Sequence, residues 1–595
     1  MATNLNLDSL NVDSSGQITF SGLSSGIDAR GAVDGIIAAK RIPIDNLERR
    51  ISDDEARLAV LNDIQTLTSN LREAADSLRG NVSFDGSTDI FEAKTTFASS
   101  TRTDTESPSA AAEVIGLTTT NRAQAGTHTI EVQQVASAHK IASGAISGAT
   151  TDALGLSGAF DIGGTSITID SSDTLLDLRD KINAANTGDS ATGITASFVS
   201  ISAAEHVFTL TADESGEDAA ITVADTSGSV LETLGFVDSA ASIVNELQPA
   251  NNAQISVDGL DSISGVSIIE RQSNTIDDVF DGVTLSLFKA EPGTTIKVDI
   301  ERDLNQVKSA IIDVVDSYNE LRTFINTQAQ SEIQDEDGEI SEGLLAGSRV
   351  LSEIRSSLSG AIGSSVDGSN TTFSSLADIG ITIQGSGSVA SALFANTLVI
   401  DETKLDDALL TQSDDVKELF SFGLSSSSSD VLLVGFNEQT NFDKDGYSLN
   451  VAYSGGQIVS ANINGPADGT DDGSVTVDGQ RLTVNNGGAE GLQLLYTGNS
   501  SVSGIQLGVS VGIGAQLHAI TEQLLDNDSG AINSNIETLT NKNELAQTRV
   551  DTLDERLERE REHLLERFAN MESALASMNN LLESIRSQID SAFGS

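Results

Sequence analysis

Five histidines, His128, His139, His206, His518 and His563, are the residues best suited to proton transfer or metal ligation. No two stand four apart, the spacing that sets a ligand pair on one helix face, so each reads as an ordinary surface or strand histidine. The chain has no cysteine, which removes thiolate metal sites, thiol nucleophiles and disulfides. Acidic runs invite a calcium reading, the best being Asn441-Phe442-Asp443-Lys444-Asp445-Gly446. An EF-hand loop needs a bidentate glutamate at its twelfth position, which here is Ala452, so the run reads as a solvated hairpin turn. Asp335-Glu336-Asp337-Gly338-Glu339 fails in the same way and reads as an exposed loop. Gly508, Gly512 and Gly514 lack both the phosphate-cradle spacing and a nearby base, and are read as easing a strand-to-helix passage. With 88 Asp and Glu residues, any pair of carboxylates carries little information as an acid–base couple. No catalytic constellation, metal site or cofactor is expected, and an enzyme is not.

Composition points the same way. Lys and Arg number 33, giving a formal net charge of -55, so the long-range field repels nucleic acid and anionic membrane surfaces alike. Hydrophobic residues are 38% of the chain, enough to bury cores, and 595 residues exceed what one core serves, so several domains are expected. Residues 1–16 have neither a basic region nor an apolar core, and no stretch has the length and apolarity to span a bilayer as a helix. Either the protein stays inside, or it leaves by an apparatus that reads a polar, uncleaved N-terminus. Tryptophan is absent and turn-forming residues crowd the middle, which suits β domains with many turns.

The strong signal is periodicity. From Pro43, taken as a first-turn residue, Leu47, Ile51, Leu58, Leu61, Ile64, Leu67, Leu71, Ala74 and Leu78 recur by threes and fours, with Asp54 as a break, and Gly80 ends the helix. Near the C-terminus Ala546, Val550, Leu553, Leu557, Glu560, Leu564, Phe568, Met571, Leu575, Met578, Leu582, Ile585 and Ile589 follow the same rule without a slip, and Asn543, Leu539 and Ile536 extend it backward. Each seam side chain contributes roughly 1.5–3 kcal/mol when fully buried, so this face requires a partner helix. That partner is the N-terminal helix, neighbouring copies, another protein, or a combination of them.

The expected fold class is α+β multidomain, with terminal helices forming a coiled-coil stalk and β-rich head domains inserted between them. The expected parts are a mobile segment over 1–26, a stalk helix over 27–80 and β-rich outer head domains over 90–250. After them come β segments returning over 251–302, a mixed inner head domain over 303–420, a β-rich insertion over 430–510 and a stalk helix over 512–595. A short helix is expected at 174–184, and helices at 303–326 and 345–358. Leu23 and Ile27, flanked by Gly and Ser, are expected to order on assembly.

Phe20-Ser21-Gly22-Leu23-Ser24-Ser25-Gly26-Ile27-Asp28, then Arg41-Ile42-Pro43-Ile44, resembles the N-terminal signature of flagellar filament cap proteins, the hook-associated protein 2 family. Ala125 to Val132 is similar to the first strand of that family's outer domain, and Ile167 to Phe198 to a repeat shared among flagellins, hook-associated and cap proteins. Asn274 to Val279, Gly282 to Leu285, Asp303, Tyr318-Asn319, Gly343 to Ser348, Leu398 to Asp401 with Leu405, and Val416 to Phe420 follow in the family's order. The 430–510 stretch departs from its shorter members.

The resemblance implies an extracellular structural protein at the distal filament tip, exported without a cleaved signal peptide. It implies a homo-oligomeric ring that retains flagellin and promotes its folding and insertion. Implied partners are other copies, flagellin, hook–filament junction proteins and an export chaperone. Assembly residues expected on the stalk are Leu23, Ile27, Leu47, Ile51, Leu58, Leu61, Val550, Leu553, Leu557, Leu564, Phe568, Met571, Leu575, Met578, Leu582 and Ile585. The alternatives are an adhesin acting through its β head, another axial subunit (flagellin or junction protein), and a glycan hydrolase, for which no motif speaks.

Overall fold

A computed structural model describes residues 10–12, 18–20, 28–80, 89–104, 106–188, 190–330, 333–334, 340–341, 343–366, 372–385, 393–436, 446–465 and 473–593. Among the described residues the helices are, in chain order, α1 (Ala29–Leu78), α2 (Ala111–Val114), α3 (Leu175–Ala185), α4 (Val230–Leu234) and α5 (Leu304–Gln328). They continue as α6 (Arg349–Gly363), α7 (Glu402–Thr411), α8 (Ser413–Phe420), α9 (Ile513–Leu525) and α10 (Ala531–Phe593). The chain divides into two compact units, one of residues 1–79, 310–432 and 436–595, the other of 80–309 with 433–435. The class is α+β: within the segment expected to be mobile over 1–26, strands 10–12 and 18–20 pair antiparallel ahead of α1, and the rest of the β structure lies between α1 and α9.

In the first unit α1 packs along α9 and α10. Asp28 caps α1 by accepting from the Gly31 N–H at 2.9 Å. The helix therefore starts at Ala29, and Pro43 lies inside it rather than at its first turn. Proline removes one intrahelical hydrogen bond there. The pairing of Asp34 with Arg561, Arg41 with Asp554 and Asp54 with Lys542 runs the two helices antiparallel.

The C-terminal helix expected over 512–595 is two helices. Between them Asp526 accepts from the Asp528 and Ser529 N–H groups and the Ser529 hydroxyl, and Gly530 N–H donates to the Asp526 carbonyl at 3.0 Å. A β-carbon on Gly530 would fall 2.4 Å from that carbonyl oxygen, so the turn requires glycine. Gly512 is held as closely: its β-carbon would stand 2.5 Å from the Ser421 carbonyl, where the end of α8 meets the start of α9.

Beside the paired helices, α5 holds the segment 393–398 by polar side chains. Asn319 donates to the Leu398 carbonyl at 2.8 Å and accepts its N–H at 2.6 Å, and Asn326 donates to the carbonyls of Leu393 and Ala395. On the same helix Tyr318 and Arg322 are fully buried. The Tyr318 hydroxyl donates to Asn396, and burial pushes it up to about 12. The same unit carries a sheet of antiparallel strands in the order 422–426, 502–511, 447–454, 457–464, 473–478, 481–484 and 493–496. It opens at Phe422 rather than at residue 430, because its first strand pairs with the last, Phe422 opposite Val511.

The second unit has two cores. In one, a five-stranded sheet in the order 269–271, 253–257, 126–134, 294–302 and 94–102 accompanies a three-stranded sheet of 275–280, 283–287 and 115–119. In the other, the sheet 245–248, 138–147, 205–215 and 194–202 accompanies 223–227, 158–162 and 165–169, with α3 and α4. Helix α3 is set by a reciprocal capping box between Thr174 and Asp177 and buries Leu175, Leu178 and Ile182. The expected division at residue 250 is therefore displaced. Strands 94–134 belong with 253–302, and the other core is built from 138–248.

Candidate assembly surfaces

The paired face of α1 and α10 is built from the apolar repeat upward. Ile44, Ile51 and Val550 are buried together, with Leu47, Ala546, Leu553 and Leu557 packed against them. Deeper along α1, Leu61, Ile64, Leu71 and Leu78 are wholly buried and Leu58 half so. Charged pairs flank the seam: Lys40 with Glu560, Arg41 with Asp554 at 2.7 Å, and Arg561 with Asp34 at 3.2 Å. The Lys40 ammonium holds the Glu560 carboxyl below its usual range. Further along, Gln65 donates to Asn533 at 2.6 Å, and Arg72 pairs with Glu522 of α9 at 3.1 Å.

Asp54, which breaks the apolar repeat, is a seam residue all the same. It is 3% exposed, accepts from Lys542 Nζ at 2.6 Å and from Arg57 Nη1 at 3.3 Å. The signal that could have found it is the helical spacing itself, since Asp54 follows Ile51 by three and precedes Leu58 by four.

The remaining expected assembly residues separate by position. Leu564, Phe568 and Leu575 are half-buried. Met571, Met578, Leu582 and Ile585 are exposed, as are Ile589 and the unanticipated Leu581, with Met578 and Leu582 above one half. The last part of α10 thus presents an apolar face to solvent over Met571–Ile589. Leu23 and Ile27 lie outside the described residues.

The histidines do not converge. His128 donates from Nδ1 to Asp258 at 2.9 Å, and His206 meets the Ser200 hydroxyl at 2.8 Å. His139 accepts the Ile221 N–H on Nδ1 at 2.8 Å, so its proton sits on Nε2, facing Glu246 at 3.1 Å. His518 of α9, 3.5 Å from Asp76, is pushed down by burial, and His563 stands exposed on α10. Among the described residues no group of three His, Cys, Asp or Glu is placed to hold a metal ion, and no helix is long and apolar enough to cross a membrane. Residues 441–445 and 335–339 lie outside the described residues.

Terminal helices paired antiparallel, β domains inserted between them and a helical apolar face left open define a structural α+β subunit. Its family follows from comparison. Models of the flagellar hook-associated protein 2 C-terminus and N-terminus match residues 250–580 and 25–139. The B-type flagellar hook-associated protein 2 of Pseudomonas aeruginosa is 30% identical over 64% of this chain and 75% of its own. The flagellar hook-associated protein 2 of Salmonella typhimurium is 33% identical over 42% of this chain, a match that spans half of the Salmonella protein. Among solved structures, the flagellar cap protein FliD D1-D2-D3 domains from Escherichia coli align at 24% identity over 60% of this chain and 89% of that one, with a TM-score of 0.44. The chain belongs to the flagellar hook-associated protein 2 family, the family of flagellar cap proteins, which is structural rather than enzymatic.

Proposed function

We propose that this protein caps the distal tip of the bacterial flagellar filament as a ring of identical copies, retaining exported flagellin and promoting its folding and insertion. It works outside the cell, reached by the flagellar export route with the help of a chaperone, and sits against flagellin and the junction proteins as the filament begins. No covalent step is involved. The observation that carries the reading is the exposed apolar face of α10 over Met571–Ile589, in a chain whose family caps filaments. Such a face, about 28 Å long at ~1.5 Å per residue, gains stability by meeting helices of neighbouring subunits. Contacts made by one narrow stripe per copy are individually weak and releasable, which is what a cap that moves outward with each added subunit requires.

Truncation after Asn570 tests this reading. Native mass spectrometry of the shortened chain should show monomers with the β-rich cores still folded, where the full chain gives closed oligomers. Rings persisting in the shortened chain would remove the terminal face from assembly.

A further inference from the structure

The seam between α1 and α10 is interrupted by polar groups at one level. Asp54 is buried, and its carboxylate is shared between Lys542 of α10 and Arg57 of its own helix. Arg57 in turn donates from Nε to the Leu344 carbonyl at 3.3 Å. Next to Lys542 in sequence, Asn543 falls on the apolar face by spacing, three before Ala546 and seven before Val550, and both Oδ1 and Nδ2 are buried without a hydrogen-bond partner. On one side of this level lie Ile44, Ile51 and Val550, on the other Val60, Leu61 and Ile64. An unpaired buried amide weakens a helix pair, so its presence is not explained by stability. Polar residues within an apolar seam have another effect, which is to penalise every alternative register and partner.

The native pairs show what a slip would do. Moving α10 one heptad so that Asp54 faces Arg549 would set Arg41 against Arg561 and Lys40 against Arg567, and would carry the Asn543 amide to Val60. The opposite slip would set Asp34 against Asp554, leave Asp54 facing Asn535, and carry Asn543 to Asn46. Native register alone joins Asp54 to Lys542 while keeping Asn543 beside that charged level and every flanking pair of opposite sign.

We propose that Asp54, Lys542 and Asn543 form a specificity layer: it selects for α1 the α10 of its own chain, in one register, and so prevents neighbouring copies from exchanging terminal helices. The need follows from the sequence, because identical chains brought together present identical apolar repeats to one another. A seam of aliphatic residues alone discriminates poorly between its own partner and a neighbour's. The inference concerns pairing within the chain and stands whether or not the protein caps a filament.

The absence of cysteine lets introduced cysteine pairs be trapped in the full chain with a short bis-maleimide, whose span suits positions that meet through the ends of long side chains. In the native background K40C/E560C should cross-link within one molecule. K40C/R567C should not cross-link, and K40C chains refolded with E560C chains should give no interchain cross-link. In D54L/K542L/N543L the slipped and interchain cross-links should rise about tenfold. A triple variant that keeps its helix content and forms only the native cross-link overturns the proposal. Charge exchange supplies the second arm, independent of packing: D54K alone should admit slipped and interchain cross-links, and D54K/K542D should restore native pairing. A double exchange no better than D54K overturns it equally.

Discussion

One helix, α10, contains two regions with the same apolar period and opposite surroundings. Over its paired part, around Ala546–Leu557, the seam lies against α1, with Val550 at 3% exposure. Over Met571–Ile589 the same spacing leaves Met578 at 55% and Leu582 at 56%. The paired part ends where its partner does: Asp34 reaches Arg561, and α1 begins at Ala29. The flanking charges differ as well. Beyond Asn570 the helix carries only Glu572, Glu583, Arg586 and Asp590, whereas the stretch facing α1 is dense with both signs. Period shows that a helix has an apolar face. It does not show whether the partner belongs to the same chain.

The comparison breaks first at Val550. Val550→Asp places a carboxylate among Ile44, Ile51 and Leu553, and should destabilise the helix pair by about 3–5 kcal/mol. Far-UV circular dichroism should record an early melting of helix, while the β-rich unit, with its own cores, melts unchanged. A variant melting as the parent does would mean that the buried seam contributes little.

Much of this arrangement is legible in the residues. The repeat in α10 is unbroken, and the short helix expected at 174–184 is α3, opened by Thr174 and Asp177. Three features escape for physical reasons. Pro43 is favoured in a first turn, yet Asp28 caps the helix upstream, and an apolar repeat gives no weight to caps. Asp526-Asn527-Asp528-Ser529-Gly530 is a run of turn formers, legible by composition, but a helix expected over 512–595 runs straight across it. Strands 94–134 and 253–302 share sheets because of pairings such as Ser99 with Lys297 and Val132 with Ile255, and a period of two is the same whichever strand lies alongside. Asp54 shows the same limit, for its partner is 488 residues away.

Acid should separate the two regions of α10 by a smaller amount. The Lys40 ammonium lowers the Glu560 carboxyl, so this pair stabilises the folded state above the unfolded value of about 4.3 and loses that contribution as pH falls through the lower folded value. Amides around Lys40 on α1 should lose protection against hydrogen exchange as pH drops from about 7 to about 3. Glu560→Gln should show reduced protection at the higher pH and a smaller further loss on acidification. Amides of Met571–Ile589, which face no helix among the described residues, should change less. Equal losses in both regions would assign the acid response to something other than the interhelical pair.

The smallest expected effect is the most informative about the open face. Met578→Gln and Ile585→Gln replace half-exposed apolar side chains with a polar residue of good helix propensity. Because neither side chain is buried by α1, each substitution should change the stability of the isolated chain by no more than about 0.5 kcal/mol. Helix content and melting should stay those of the parent, and the two variants should fall short only in forming oligomers, read by sedimentation at matched concentration. A loss of stability approaching that of Val550→Asp would place these side chains in an intrachain contact and erase the distinction between the two parts of α10. Unchanged stability with unchanged oligomers would keep the distinction and move the assembly surface elsewhere on the molecule.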